Sequence, residues 1–142
     1  TNQIQIERAV EYLAPHKNKR IGILGLSFKA GTDDLRNSPA VTLIETLLGK
    51  GYTLRIYDKN VQISRLTGTN KEFIDSHIPH LAKLMVDSYF ELFDNSDILI
   101  VSTKEKEFVS ALKKVDNKSI IDLVHLGDPE ILTKPGYYGI NW

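Results

Sequence analysis

The chain has 142 residues, of which 42% are hydrophobic and 25% charged, which fits one globular domain of ordinary size. The 18 basic and 18 acidic residues give a formal net charge of zero, so no overall field attracts nucleic acid or an anionic membrane. The lack of cysteine excludes a disulfide framework, a cysteine-based zinc site and a thiol nucleophile within this chain. Because no apolar run approaches about 18 residues and no charged-then-apolar leader opens the chain, we expect a cytoplasmic protein with no membrane partner.

Apolar periodicity divides the chain into alternating helices and strands. Helices show as apolar stripes at helical spacing, whereas buried strands show as short apolar runs. The predicted helices cover residues 1–13, 38–48, 61–66, 71–77, 89–93 and 105–113, and the predicted strands cover residues 21–26, 52–57, 97–102, 119–123 and 137–140. This alternation predicts an α/β fold, a Rossmann-like, doubly wound and mostly parallel sheet in a single domain.

The segment between the first strand and the next helix departs from the dinucleotide-binding pattern. That pattern needs G-x-G-x-x-G between strand and helix. Here Gly22 and Gly25 are followed by a polar loop of about eleven residues, and the helix begins only at Ser38 and Pro39, which suit the N-cap and the first helical position. We therefore expect ordinary NAD binding to be lost.

The same loop carries groups that suit a different anion site. Lys29 supplies a point charge for phosphate, and Arg36 can bind two phosphate oxygens at once. Phe28 offers a flat face for a base or a sugar, and Asp33 and Asp34 are expected to hold the shape of the loop. On composition alone, a lysine and an arginine in a loop are also explained by simple solvation, and Phe28 by core packing.

Other polar residues follow the predicted strands. Asp58, at the end of the second strand, could bind a ribose or could act as a cap or turn former. Asp122 and His125 lie near the end of the fourth strand and could join the same crevice. No metal site is expected from the histidines, which lack ligand spacing: His16, His77, His80 and His125.

The loop resembles a known family signature. Residues 25–39 contain every defined position of G-x-x-F-K-x-x-T-D-D-x-R-x-S-P, the C-terminal-domain signature of the UDP-glucose/GDP-mannose dehydrogenase family. The resemblance continues through residues 51–58 and 120–124. Residues 70–80 and 139–142 are similar to the GDP-mannose branch rather than the UDP-glucose branch. The opening helix, which starts without a methionine, is similar to the end of the interdomain helix of that family.

The resemblance implies a domain organisation and a set of roles. Residues 1–14 would be the end of the interdomain helix and residues 15–142 the nucleotide-sugar-binding C-terminal domain. Phe28 and Lys29 would contact the nucleotide-sugar, and Arg36 would reach NAD held by an N-terminal domain. The remaining signature residues would support the loop: Thr32, Asp33, Asp34 and Ser38.

The family oxidises the C6 alcohol of a nucleotide-bound hexose to a carboxylate with two NAD+, through a catalytic cysteine and in a homodimer. Since this chain has no cysteine, it is expected to bind ligand without performing catalysis alone. Alternatives that remain open are the UDP-glucose branch, a stand-alone Rossmann-like nucleotide-binding module, a signalling receiver domain with Asp58 as phosphoacceptor, and a domain that only mediates oligomers.

Overall fold

The computed structural model describes residues 2–27, 38–61 and 79–140. Its helices are α1 (Asn2–Leu13), α2 (Pro39–Gly49), α3 (Pro79–Ala82), α4 (Tyr89–Asp94), α5 (Lys106–Leu112) and α6 (Pro129–Leu132), with a 3-10 helix over Ala14–His16. Its strands are β1 (Arg20–Leu24), β2 (Thr53–Tyr57), β3 (Ile98–Val101), β4 (Ser119–Asp122) and β5 (Tyr137–Gly139). The predicted helices over 61–66 and 71–77 lie almost entirely outside the described residues.

The five strands form one sheet in the order β2-β1-β3-β4-β5, and every pairing is parallel. In register, Ile21 of β1 lies opposite Leu54 of β2 on one side and opposite Ile98 of β3 on the other. The predicted Rossmann-like parallel sheet is therefore confirmed. The order of the strands reverses between β1 and β3, which places a topological switch point there.

Successive side chains of a strand point to opposite faces of the sheet. Helices cover both faces, so the central strands are buried on each side. Ile98 and Ile100 pack with Leu43 and Leu47 of α2 and with the buried stripe of α1. On the other face, Leu99 packs with residues of α4 and α5. This explains why β3, in the middle of the sheet, is a continuous apolar run with every residue buried. The edge strand β2 instead alternates, with Thr53 and Arg55 exposed.

Helix α1 packs on the same core as α2. Its stripe of Ile6, Ala9 and Leu13 is buried, and the Tyr52 hydroxyl donates a hydrogen bond to the Leu13 carbonyl at 2.8 Å. The end of α1 is thus fixed to the start of β2. The division of the chain after residue 14 stays a prediction.

Several boundaries differ from the predicted ones. The first strand was expected to run to residue 26, but it ends at Leu24 because Gly25 adopts a left-handed conformation with φ of 99°. Helix α3, which begins at Pro79, was not predicted. Helix α6 was not predicted; Asp128 caps it by accepting hydrogen bonds from the Glu130 and Ile131 amides.

At the amino ends of the strands, an ion pair joins the start of β1 to the residue before β3. Arg20 Nη2 lies 3.1 Å from Asp97 Oδ1, and the Arg20 amide donates to Asp97 Oδ2 at 2.9 Å. These hydrogen bonds lower the pKa of Asp97 to about 2. Among the helices that the structure describes, none is long and apolar enough to cross a membrane.

Candidate functional site

A crevice of about 310 Å³ lies at the carboxyl ends of β1, β3 and β4, beneath α1 and the first turn of α2. Ligands in open α/β sheets bind at this edge, beside the switch point. The described residues of the lining carry no charge, and the most informative of them are Gln5, Ser27, Ser38, Leu43, Ser102 and Leu123. The crevice therefore suits the uncharged part of a ligand, and any charge on that ligand must be met from its rim.

The turn that leaves β1 is held by the end of β2 and by the residues that follow β3. The Gly25 amide donates to the carbonyl of Tyr57, the last residue of β2, at 2.9 Å. The Ser102 hydroxyl donates to the carbonyls of Gly25 and Leu24, while the Ser102 amide donates to the Leu24 carbonyl at 3.0 Å. A residue with a Cβ at position 25 would collide with Thr103. The left-handed φ and this close approach together require glycine.

Asp58 is buried, and each of its carboxylate oxygens accepts two backbone hydrogen bonds. Oδ2 accepts from the Leu26 and Ser27 amides at 2.7 and 3.1 Å, and Oδ1 accepts from the Asn60 and Val61 amides at 3.0 and 3.2 Å. A carboxylate offers about four acceptor positions, so none is left for a ribose hydroxyl. Of the two interpretations that the sequence left open, the geometry supports the cap and turn former.

Hydrogen bonds join the described residues on the two sides of the segment 28–37. Ser38 occupies the N-cap position of α2, but its side chain makes no capping bond; its hydroxyl instead donates to the Leu26 carbonyl at 2.6 Å. The Thr103 hydroxyl donates to the Ser27 carbonyl at 3.0 Å. The two residues that flank the segment 28–37, Ser27 and Ser38, therefore both lie at the crevice.

Most of the predicted site residues fall in that segment. Ser38 is described, whereas the others lie outside the described residues: Phe28, Lys29, Thr32, Asp33, Asp34 and Arg36. Sequence reasoning missed Gln5. The residues after Ser102 directly follow the most apolar strand, and this position predicts that they reach the ligand-binding edge of the sheet. The structure places Ser102 in the crevice lining and Thr103 beside Ser27.

Asp122 does not add its carboxylate to the crevice. Oδ1 accepts from the Val124 amide at 2.9 Å, and Oδ2 accepts from the Leu126 amide at 2.8 Å and from the Tyr137 hydroxyl at 2.6 Å. Burial and this bond to Asp122 raise the pKa of Tyr137. The role of Asp122 is to shape the turn after β4 and attach β5.

His125 lies in that turn with a left-handed φ of 54° and is exposed. Its carbonyl accepts a hydrogen bond from Lys104 Nζ at 3.2 Å. Within residues 2–27, 38–61 and 79–140, no group of three or more histidine and carboxylate side chains is arranged to hold a metal ion.

A parallel sheet with this strand order and a crevice at its switch point define a Rossmann-like nucleotide-binding domain. Residues 22–129 match the family model described as "UDP-glucose/GDP-mannose dehydrogenase family, UDP binding domain". The chain belongs to this family, and the part it contains is the UDP-binding domain.

Relatives and solved structures agree with that assignment. A GDP-mannose 6-dehydrogenase of Pseudomonas putida is 43% identical over all of this chain and 33% of its own length. A crystal structure of a ternary complex of GDP-mannose dehydrogenase from Pseudomonas aeruginosa has a TM-score of 0.87 and 42% identity, covering 99% of this chain and 32% of that one. A UDP-glucose 6-dehydrogenase of Rickettsia bellii is 38% identical over 65% of this chain and 19% of its own length. The chain thus spans about a third of the length of its GDP-mannose relatives.

Proposed function

We propose that this chain is the nucleotide-sugar-binding domain of an NAD-dependent nucleotide-sugar 6-dehydrogenase, and that GDP-mannose is the substrate of the whole enzyme. The observation that carries the proposal is the anchoring of Ser27 and Ser38 at one crevice. The segment between these two residues contains Phe28, Lys29 and Arg36, the aromatic and basic residues of the family signature.

The division of polar groups supports a ligand with a charged and an uncharged part. The described lining of the crevice is neutral. The hydroxyl protons of Ser38 and Ser102 are already donated, to the carbonyls of Leu26 and Leu24 respectively. These hydroxyls can still accept hydrogen bonds, which suits the donors of a sugar or a base. The diphosphate would be met at the rim by Lys29 and by the N-terminus of α2, where partial positive charge favours an anion.

In the whole enzyme this domain would act by binding. Free energy gained on the nucleotide orients the distant C6 alcohol of the hexose for oxidation. Because this chain has no cysteine, the thiol that receives the aldehyde intermediate would belong to another part of the enzyme, which would also bind most of the NAD. Arg36 would extend from this domain toward that NAD. A homodimer and a cytoplasmic location stay predictions.

We favour GDP-mannose over UDP-glucose as the substrate because the GDP-mannose relative is 43% identical over the whole chain. The UDP-glucose relatives are 38% identical over 65% of the chain and 31% identical over 88% of it. The test is calorimetric titration of the chain with GDP-mannose, UDP-glucose and NAD separately. GDP-mannose should bind most tightly, and Lys29→Ala should weaken its binding by about 1.5–3 kcal/mol, the range for hydrogen bonds to charged groups.

A matched control is Lys50→Ala, which removes an equal charge from an exposed residue at the far end of α2. This variant should bind like the wild type. Equal binding by the wild type and Lys29→Ala would remove Lys29 from the site. Binding of NAD without binding of either nucleotide-sugar would favour a stand-alone dinucleotide module and overturn the proposal.

A further inference from the structure

Two hydroxyls in the lining of the crevice are held in a single hydrogen-bonding state. The Ser38 hydroxyl donates to the Leu26 carbonyl at 2.6 Å. The Ser102 hydroxyl donates to the carbonyls of Gly25 and Leu24. A hydroxyl has one proton and two lone pairs, so a hydroxyl whose proton is already donated can only accept. Ser38 and Ser102 therefore offer acceptors, and no donors, to a ligand in the crevice.

These two acceptors are attached to the same short turn. The carbonyls that hold them belong to three successive residues, 24–26, at the carboxyl end of β1. One serine reaches that turn from the start of α2 and the other from the end of β3. Their distance from each other along the sequence is large, and only the closure of the sheet brings them to one crevice.

The rest of the described lining favours a flat base over a sugar. A hexose carries hydroxyls around its whole ring and needs donors as well as acceptors, whereas a base has two apolar faces and polar groups only on its edge. The volume of about 310 Å³ is at the lower end for ligand pockets, which suits one ring system better than a whole nucleotide-sugar. Apart from Gln5 and Ser27, the remaining described lining residues are apolar: Ile6, Pro39, Ala40, Leu43, Leu123 and Val124.

Among the common bases, guanine is the one whose edge matches a pair of acceptors. Its 2-amino group has two N–H donors and stands beside a third donor, the ring N1–H. In adenine and cytosine the amino group stands beside a ring nitrogen that accepts, and an acceptor facing another acceptor leaves both without a hydrogen bond. Uracil has no amino group. The chemistry of the two serines therefore selects guanine.

We propose that this crevice binds the guanine base of the nucleotide-sugar, and that Ser38 and Ser102 recognise its 2-amino group by accepting hydrogen bonds from it. The proposal rests on the proposed function of the domain and goes further, because it assigns the choice between guanine and uracil to two named side chains. In this role the serines are specificity-determining residues as well as supports of the turn after β1.

The first test changes the ligand and leaves the protein intact. Calorimetry on the full chain compares the dissociation constants of GDP-mannose and IDP-mannose, since inosine differs from guanosine only in lacking the 2-amino group. We expect IDP-mannose to bind about tenfold more weakly, because hydrogen bonds with a net value of roughly 1.4 kcal/mol in total are lost. Equal dissociation constants would overturn the proposal, and this result needs no variant to fold.

The second test removes the acceptors one at a time. Ser38→Ala and Ser102→Ala should each lower the preference for GDP-mannose over IDP-mannose to about threefold, because one of two acceptors remains. Loss of a purely structural hydroxyl would weaken the binding of both ligands alike and leave their ratio unchanged. A ratio that stays at its wild-type value in both variants would therefore contradict direct recognition.

Ser96→Ala is the matched control for these variants. Ser96 is buried, and its hydroxyl donates to the Leu92 carbonyl at 2.6 Å, the same distance as for Ser38 and Leu26. It lies before β3, at the amino ends of the strands, so it should keep the full preference for GDP-mannose. An equal fall in the ratio for Ser96→Ala would count against the crevice as the base site.

Failure of the proposed function gives a different pattern from failure of this inference. If the wild type binds neither GDP-mannose nor IDP-mannose, the domain does not bind this nucleotide-sugar, and both proposals fall. If the wild type binds both ligands equally well, the proposed function stands and only the assignment of the guanine site is wrong.

Discussion

The side chain of Thr103 occupies the space that a Cβ atom on residue 25 would need, and its hydroxyl donates to the carbonyl of Ser27, two residues further along. Thr103 directly follows Ser102, whose hydroxyl bonds to the Gly25 carbonyl. The turn that leaves β1 is thus built against the turn that leaves β3. The two strands that border the switch point share one hydrogen-bonded junction.

This contact predicts that Gly25→Ala destabilises the chain for two separable reasons. A non-glycine residue at φ of 99° is strained by about 1–3 kcal/mol. The collision with Thr103 adds overpacking, typically about 1–3 kcal/mol more. Urea unfolding measures the sum. Gly51→Ala is the control, because Gly51 has a similar φ of 90° and open space around it. If both variants lose the same stability, Thr103 does not restrict residue 25.

The bond between Tyr137 and Asp122 predicts a stability loss in Tyr137→Phe. Removing a hydrogen bond to a charged group costs about 1.5–3 kcal/mol. Because burial and Asp122 raise the pKa of Tyr137, the folded chain keeps this proton when the unfolded chain loses it near pH 10. The contribution is therefore complete below about pH 10 and declines as pH rises further.

The measurement is urea unfolding of both forms between neutral pH and pH 11. The wild-type advantage should narrow at the alkaline end. Tyr138→Phe serves as control, since Tyr138 is 38% exposed and its hydroxyl makes no hydrogen bond to the described residues. A loss in Tyr138→Phe as large as that in Tyr137→Phe would attribute the effect to the edge strand rather than to Asp122.

The ion pair at the amino edge predicts an acid-dependent loss of stability. Hydrogen bonds from Arg20 lower the pKa of Asp97 from 3.8 to about 2. Between these values the unfolded chain binds a proton that the folded chain does not, so this contribution is present above about pH 4 and is lost toward pH 2. Unfolding at pH 7, 4 and 2.5 should show a smaller decline for Asp97→Asn than for wild type.

Asp116→Asn tests whether that decline is specific. Asp116 is highly exposed, and its oxygen lies 3.9 Å from Lys134 Nζ, so it contributes little. Its pH profile should follow the wild-type profile. Parallel profiles for wild type and Asp97→Asn would show that Arg20 does not stabilise the ionised form of Asp97.

Local patterns in the sequence were sufficient to predict the fold and the family. The centres of two predicted strands, residues 98–101 and 120–121, are wholly apolar because central parallel strands are covered on both faces. This property can be recognised in the sequence without knowing which strands pair. The lack of a third glycine after Gly25 likewise showed that the phosphate cradle of ordinary dinucleotide folds is missing. The signature between Gly25 and Pro39 then predicted the family, which the match over residues 22–129 confirmed.

The tertiary structure alone decided what the polar side chains do. Asp58 is 32 positions from Leu26, and Thr103 is 76 positions from Ser27, so neither pairing leaves a periodic trace in the sequence. Ser38 was expected to cap α2, yet its hydroxyl donates to the Leu26 carbonyl, 12 positions earlier, and makes no capping bond. Burial follows from each residue's own apolarity, whereas a hydrogen-bond partner depends on the strand order that brings two distant turns together.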